Sequence, residues 1–271
     1  QGYSSAASDV YKRQDYTVHD KVHPNKAGAE KMATVWFEAL KKVLASSETV
    51  FSPDIVRYKT LENGDSLALH IFKPRNMQAG EKRPVIVYFF GGGWKLGTPL
   101  QFYRECAYYA SKGMVAVSVD YRIEYLHHST PFDSFEDAKD AICWLRSHAS
   151  DYQLDPDKIA VAGGSAGGHL AAALGTIGSD EAVNYRPNLS VLYYPVVDMV
   201  SRGYGFPEIK RDFEKISPIH HVSEATPSTL ILLGTKDPIV SVETIEAYQD
   251  KLLQKGVDCD CLLYTSDAAD E

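Results

Sequence analysis

The stretch "KIAVAGGSAGGHLAAALGT" (Lys158–Thr176) joins an apolar run, a serine set among glycines and an alanine-rich segment. It predicts a short buried strand, a sharp turn at Gly163-Gly164-Ser165-Ala166-Gly167 and a helix that continues through His169. A serine on such a turn needs bare backbone two residues before and two after it, and Gly163 and Gly167 supply that. The helix behind Ser165 turns its N-terminus toward any negative charge that develops there. A phosphate cradle would need the Lys-Ser/Thr of a P-loop, which the stretch lacks.

Outward from this stretch the chain keeps the same rhythm. Segments 66–72, 84–90, "MVAVSVDY", "SVLYYP" and "STLILLG" read as strands. Helical apolar spacing marks 101–111, 135–149 and "VETIEAYQDKLLQKG", the last closed by Gly256. Buried strands alternating with helices predict an α/β fold with a doubly wound, mainly parallel sheet. Ligands in such sheets bind at the carboxyl ends of strands.

Two more motifs fall at strand ends. "FFGGGWKLG" (Phe89–Gly97) puts three consecutive glycines after a buried strand, so that backbone N–H groups can approach a substrate oxygen. "LLGTKDPIV" (Leu232–Val240) places Asp237 after another strand, where an N-cap or turn role is the competing reading.

Residues 56–260 resemble the α/β-hydrolase family throughout. The glycine loop is similar to the His-Gly-Gly-Gly loop of hormone-sensitive-lipase-like esterases, with Phe90 in place of the histidine. That departure puts the rigidity of the loop in question, not its backbone donors. "DYR" (Asp120–Arg122), "TPFDSFEDAKDAICWLR" and "YYPVVD" resemble bacterial esterases that act on acetylated or feruloylated plant polysaccharide, and "DYR" reads as a brace of the fold. The resemblance implies a serine carboxylester hydrolase with Ser165 as nucleophile and Asp237 as acid. Gly92, Gly93 and Ala166 would form the oxyanion hole. It implies no cofactor and no metal, and a small-molecule or polysaccharide ester as partner. A non-catalytic binding module and a serine peptidase of the same fold are the alternatives.

The family's base is a histidine after the last strand, and this chain has no histidine after Asp237. His169 lies one helical turn past Ser165 and is expected to pack, while His127, His128, His220 and His221 sit in loops that edge the pocket. The base is therefore expected beyond Asp260, and the chain as it stands is expected to be inactive.

Both ends of the chain read as foreign to the fold. Back-translated, the head "SSAASDVYKRQ" (Ser4–Gln14) has a reverse complement that, one base in, encodes the tail from Cys261 to Asp270. Residues 1–14 and 261–271 are thus expected to be translated sequencing adapter, and the hydrolase domain to lack its final strand and helix. Asp20-x-x-His23-Pro24, followed by a helix expected over 26–45, resembles the last block of SGNH (GDSL-type) hydrolases, so 15–45 reads as a remnant of a second domain. The Ser-rich segment 46–55 reads as a linker.

A formal net charge of −8 argues against nucleic acid or an anionic membrane as the main partner. No apolar run approaches the roughly 20 residues that span a bilayer. Cys106, Cys143 and Cys259 show no metal-ligand spacing and read as buried free thiols. The substrate class points to a secreted or periplasmic bacterial parent.

Overall fold

The computed structural model describes residues 52–178, 185–199 and 210–265, all within the unit Phe51–Glu271. Asp20, His23 and the helix expected over 26–45 lie outside the described residues. Eight strands form one sheet: β1 (Asp54–Thr60), β2 (Ser66–Phe72), β3 (Arg83–Phe89), β4 (Val115–Val119), β5 (Leu154–Gly164), β6 (Leu189–Tyr193), β7 (Ser228–Gly234) and β8 (Cys259–Tyr264). Their spatial order is β1-β2-β4-β3-β5-β6-β7-β8. β2 runs antiparallel to both β1 and β4, and every other pairing is parallel. This is the α/β architecture the alternation predicts.

Burial explains the central position of β3 and β4. All five residues of β4 are buried, as are the last five of β3. Apolar runs without alternation belong in a sheet covered on both faces. The covering helices are α1 (Tyr103–Ser111), α3 (Pro131–Ser147), α4 (Ala166–Thr176) and α5 (Val242–Gln254), with a one-turn α2 at Glu124–His127. Every residue of α4 is buried, so its small side chains let it lie deep between sheet and neighbours. α3 starts four residues before its expected position, because Thr130 and Asp133 form a reciprocal capping box ahead of Pro131. Of the thiols, Cys106 is fully buried, whereas Cys143 and Cys259 are half-buried.

Two departures from the sequence reading concern the sheet's edges. β1 begins at Asp54, inside the segment read as linker, and its largely exposed residues gave no apolar signal. At the other edge, the last strand expected to be missing is present as β8. Cys259 and Asp260 open it, and Cys261–Tyr264, set aside above as non-native, continue the parallel ladder with β7. Backbone pairing asks only for an extended segment that tolerates the pleat, and "CDCLLY" is one whatever its origin. No final helix falls within the described residues, which end at 265.

The "DYR" segment braces the fold through a buried carboxylate. Asp137 of α3 has no exposed side-chain surface and receives Arg122 through Nε at 2.8 Å and Nη2 at 2.9 Å. Lys59 of β1 reaches the same carboxylate at 2.6 Å, and Tyr58 Oη donates to the Asp120 carbonyl at 2.7 Å. One carboxylate thus ties the edge strand, the end of β4 and α3 together.

Removing it would leave two cations without their buried partner. Asp137→Ala is expected to lower stability by about 3–5 kcal/mol in urea unfolding, and Lys59→Met by under about 1 kcal/mol. Equal losses in the two variants would overturn this account. The β8 edge exposes Leu262 at 54% and Leu263 at 42%. A Leu262→Lys, Leu263→Lys double variant is expected to raise the monomer fraction in light scattering, since charge blunts an open strand edge.

Candidate active site

β5 delivers Ser165 at its carboxyl end, and the backbone there is strained. Ser165 has φ 53° and ψ −117°, a conformation that costs a non-glycine residue about 1–3 kcal/mol. Packing on both sides holds it. A Cβ on Gly163 would lie 2.4 Å from the Gly167 carbonyl, and one on Gly167 would lie 2.0 Å from the Phe89 carbonyl oxygen. Ser165 N–H donates to the Tyr193 carbonyl at 3.0 Å, and its own carbonyl accepts from His169 N–H at 2.9 Å. Ser165 is the one residue of 161–170 that is not buried, so the turn lifts it out of the core.

The glycine loop lies directly beside it. A Cβ on Gly91 would stand 3.5 Å from the Ser165 Cβ. Gly92 and Gly93 take φ of 133° and 62°, left-handed values natural to glycine. Among the described residues no hydrogen bond takes the N–H of Gly92 or Gly93, whereas Gly91 N–H donates to Gln101 Oε1 at 2.6 Å. Ala166 opens α4, where helical N–H groups have no partner within the helix. Ser165 thus lies between the glycine loop, which it meets at Gly91, and the first turn of α4.

Phe90 answers the question its substitution raised. Its ring stacks on Tyr121 with centroids 4.1 Å apart and planes 15° apart. Tyr121 Oη donates to the Phe90 carbonyl at 2.6 Å. The loop is braced by an aromatic pair and by Gln101. The sequence marked Tyr121 only as part of the bracing "DYR", and nothing in it tied Tyr121 or Gln101 to the glycine motif.

Asp237 sits half-buried in the loop after β7. Its Oδ1 accepts from the N–H groups of Ile239 and Val240, each at 2.8 Å. Tyr194 lies beside the turn at Ser165. A Cβ on Gly164 would meet Tyr194 Oη at 2.9 Å, and Tyr194 itself has φ 37°. Burial first, and then the charge of Asp237, raise the Tyr194 phenol above its ordinary value. The Tyr194 ring thus lies against Gly164 and within the electrostatic reach of the Asp237 carboxylate. Its position just before Pro195 at the end of β6 was the only signal in the sequence.

Of the histidines weighed as a base, His169, His127, His220 and His221 have other partners. His169 is fully buried, its Nε2 is 2.7 Å from the Ile216 carbonyl, and its ring stands edge-on to Trp94 at 5.1 Å. Burial lowers its pKa to about 4. His127 Nδ1 accepts from Ile123 N–H, His220 faces Asp198 at 4.0 Å, and His221 bonds the Glu214 carbonyl. His128 lines a cavity beside Gly93. No cluster of three or more metal-ligating side chains occurs among the described residues.

The BD-FAE family model matches residues 69–208, about half of the chain and the span that holds both glycine motifs. This chain belongs to the BD-FAE family. Esterase 2 of Thermogutta terrifontis, a thermophilic esterase, is similar in structure with a TM-score of 0.74 at 34% identity, covering 80% of this chain and 82% of that one. The same esterase phosphorylated by paraoxon aligns with TM-score 0.74 and 34% identity over 80% of this chain and 84% of that chain. A probable carboxylic ester hydrolase, LipM of Mycobacterium tuberculosis, is 28% identical over 71% of this chain and 50% of its own length. An acetylxylan esterase of Xylanibacter ruminicola is 26% identical over 65% of this BD-FAE chain and 38% of its own. The chain spans about half the length of the first curated relatives it matches.

His169 gives the site a pH signature. Its folded pKa lies below the unfolded value, so the stability it confers is present above about pH 6.5 and is lost as pH falls toward about 4. Asp120, raised by burial to about 6, contributes the opposite slope in this window. Comparing the parent with His169→Gln cancels the Asp120 contribution. The stability difference between them is expected to change by about 2 kcal/mol in favour of the variant between pH 7 and 5. Parallel pH profiles would contradict a buried neutral imidazole.

Proposed function

We propose that this domain is the nucleophile and oxyanion half of a serine carboxylic ester hydrolase that removes acetyl, other small acyl or feruloyl groups from plant polysaccharide. The observation that carries the reading is the strained, half-buried Ser165 beside the glycine loop, in which no hydrogen bond among the described residues takes the N–H of Gly92 or Gly93. Ser165 Oγ attacks the ester carbonyl while a histidine base takes its proton. The carbonyl oxygen becomes an oxyanion held by the N–H groups of Gly92, Gly93 and Ala166, one such donor being worth roughly 3–4 kcal/mol. Collapse expels the alcohol with the proton returned by the imidazolium, and water then releases the acid by the same route. Asp237 orients the imidazole and stabilises its charge.

The base is assigned to a histidine beyond Asp260 in the parent protein, because none follows Asp237 here and His169 is held by Ile216. The acetylxylan esterase among the relatives supports a carbohydrate ester over a lipid. Asp20 and His23, read as the end of an SGNH hydrolase, would make the parent a two-domain deacylase for one decorated polymer. The second reading is a binding module that keeps the pocket without a base, and the turning of His169 into the core favours it.

Aryl acetate hydrolysis separates the two. This chain is expected to show no turnover that Ser165→Ala abolishes, since loss of one triad member leaves only the oxyanion hole and binding. Extended along the parent gene to include a histidine within about 15 residues of Asp260, it is expected to gain serine-dependent turnover and to be labelled by paraoxon at Ser165. Robust Ser165-dependent turnover in the present chain would refute the missing base. An intact gene without that histidine would favour the binding module.

A further inference from the structure

His169 is a buried titratable side chain that the proposed mechanism does not use. It lies one turn of α4 past Ser165 and has no exposed surface. A carbonyl oxygen can only accept, so the 2.7 Å contact with Ile216 makes Nε2 the protonated nitrogen. No hydrogen bond takes the other ring nitrogen, Nδ1, which is buried as well. Packing alone would favour a hydrocarbon side chain here, because a buried nitrogen without a partner is costly.

The ring touches the glycine loop. Trp94 follows Gly93 directly and is 1% exposed. It meets the imidazole edge-on, with centroids 5.1 Å apart and planes at 85°. Trp94 also has φ 59°, a left-handed value that a bulky aromatic residue rarely adopts. Such a backbone persists only where its surroundings over-determine it. α2 holds Trp94 from one side, through Glu124 N–H donating to its carbonyl at 2.9 Å. The His169 ring holds it from α4. A line of contacts thus runs from the Ile216 carbonyl through His169 to Trp94, next to Gly93. It joins the helix that begins beside Ser165 to the loop that contains Gly92 and Gly93.

We propose that His169 is a positioning residue: its imidazole, fixed by Ile216, props the left-handed Trp94 and so sets the Gly92–Gly93 loop against Ser165. The setting matters because oxyanion donors act only within about 2.7–3.1 Å of the developing charge. The inference rests on the esterase reading of Ser165 for its purpose, but its test needs no turnover.

Amide hydrogen exchange in the whole chain follows the loop directly. The reporters are Lys95 and Leu96, whose N–H groups donate to the Gly92 carbonyl, and Val87 within β3 is the reference. His169→Leu removes both the ring and the bond to Ile216. His169→Gln keeps a donor for Ile216 and removes only the ring. Both variants are expected to speed exchange at Lys95 and Leu96 about tenfold relative to Val87. Parent-like exchange in His169→Gln would overturn the proposal, because the Ile216 bond alone would then suffice. Equal acceleration at all three amides, the mark of a general loss of stability, would also overturn it. In the parent, nitrogen NMR at neutral pH is expected to show an imidazole protonated at Nε2 alone, and a proton on Nδ1 would break the line of contacts and refute the role. Loop exchange that depends on His169 in a gene-extended chain without serine-dependent turnover would keep the prop on Trp94 and sink the esterase reading. Serine-dependent turnover with loop exchange indifferent to His169 would do the reverse.

Discussion

The site depends on the approach of one backbone to another. The Phe89 carbonyl at the end of β3 occupies space that any side chain at position 167 would need, and Gly163 faces Gly167 as closely. The contact brings the end of β5 and the start of α4 under the glycine loop that leaves β3. It also gives a reason for the positive φ of Ser165, because a relaxed turn would carry α4 away from β3. The strain is held by three backbone hydrogen bonds at Ser165, with Tyr193, His169 and Val196, and by the complete burial of α4.

A second set of ties carries rigidity from the far side of the sheet. Asp137 fixes Arg122, and Arg122 immediately follows Tyr121, whose ring and hydroxyl brace Phe90. The glycine loop is thus anchored at its entry by the segment that the buried carboxylate holds. At its exit α2 anchors it through the Trp94 and Lys95 carbonyls. A histidine in place of Phe90 would brace by hydrogen bonds. Here stacking over a 4.1 Å centroid separation does that work, and it leaves the N–H groups of Gly92 and Gly93 untouched.

What was legible in the sequence was local. The glycine spacing around Ser165, the run after Phe90 and the position of Asp237 each state a backbone requirement within a few residues. The order of strands and helices followed from apolar runs and caps. Illegible were the partners brought together only by folding: Tyr194 against Gly164, Gln101 on Gly91 and Lys59 on Asp137. β1 escaped because an edge strand with mostly exposed residues lacks the burial that makes a pattern. β8 was cut short for another reason: its last four residues were judged by their coding origin, and the ladder with β7 responds only to their conformation.

That His169 packs away from Ser165 has a geometric cause. A residue four positions after Ser165 projects from α4 one turn on, and every residue of that helix is buried. Its ring meets Ile216 and Trp94 in the core, and burial leaves it a weak base. Asp237 is arranged in the opposite sense. Oδ1 is fixed by two N–H groups, while among the described residues no hydrogen bond engages Oδ2. A carboxylate anchored through one oxygen and open at the other is what an imidazole needs for orientation. The fold thus fixes the Asp237 carboxylate from one side and leaves its second oxygen open among the described residues, while it turns the His169 ring into the core.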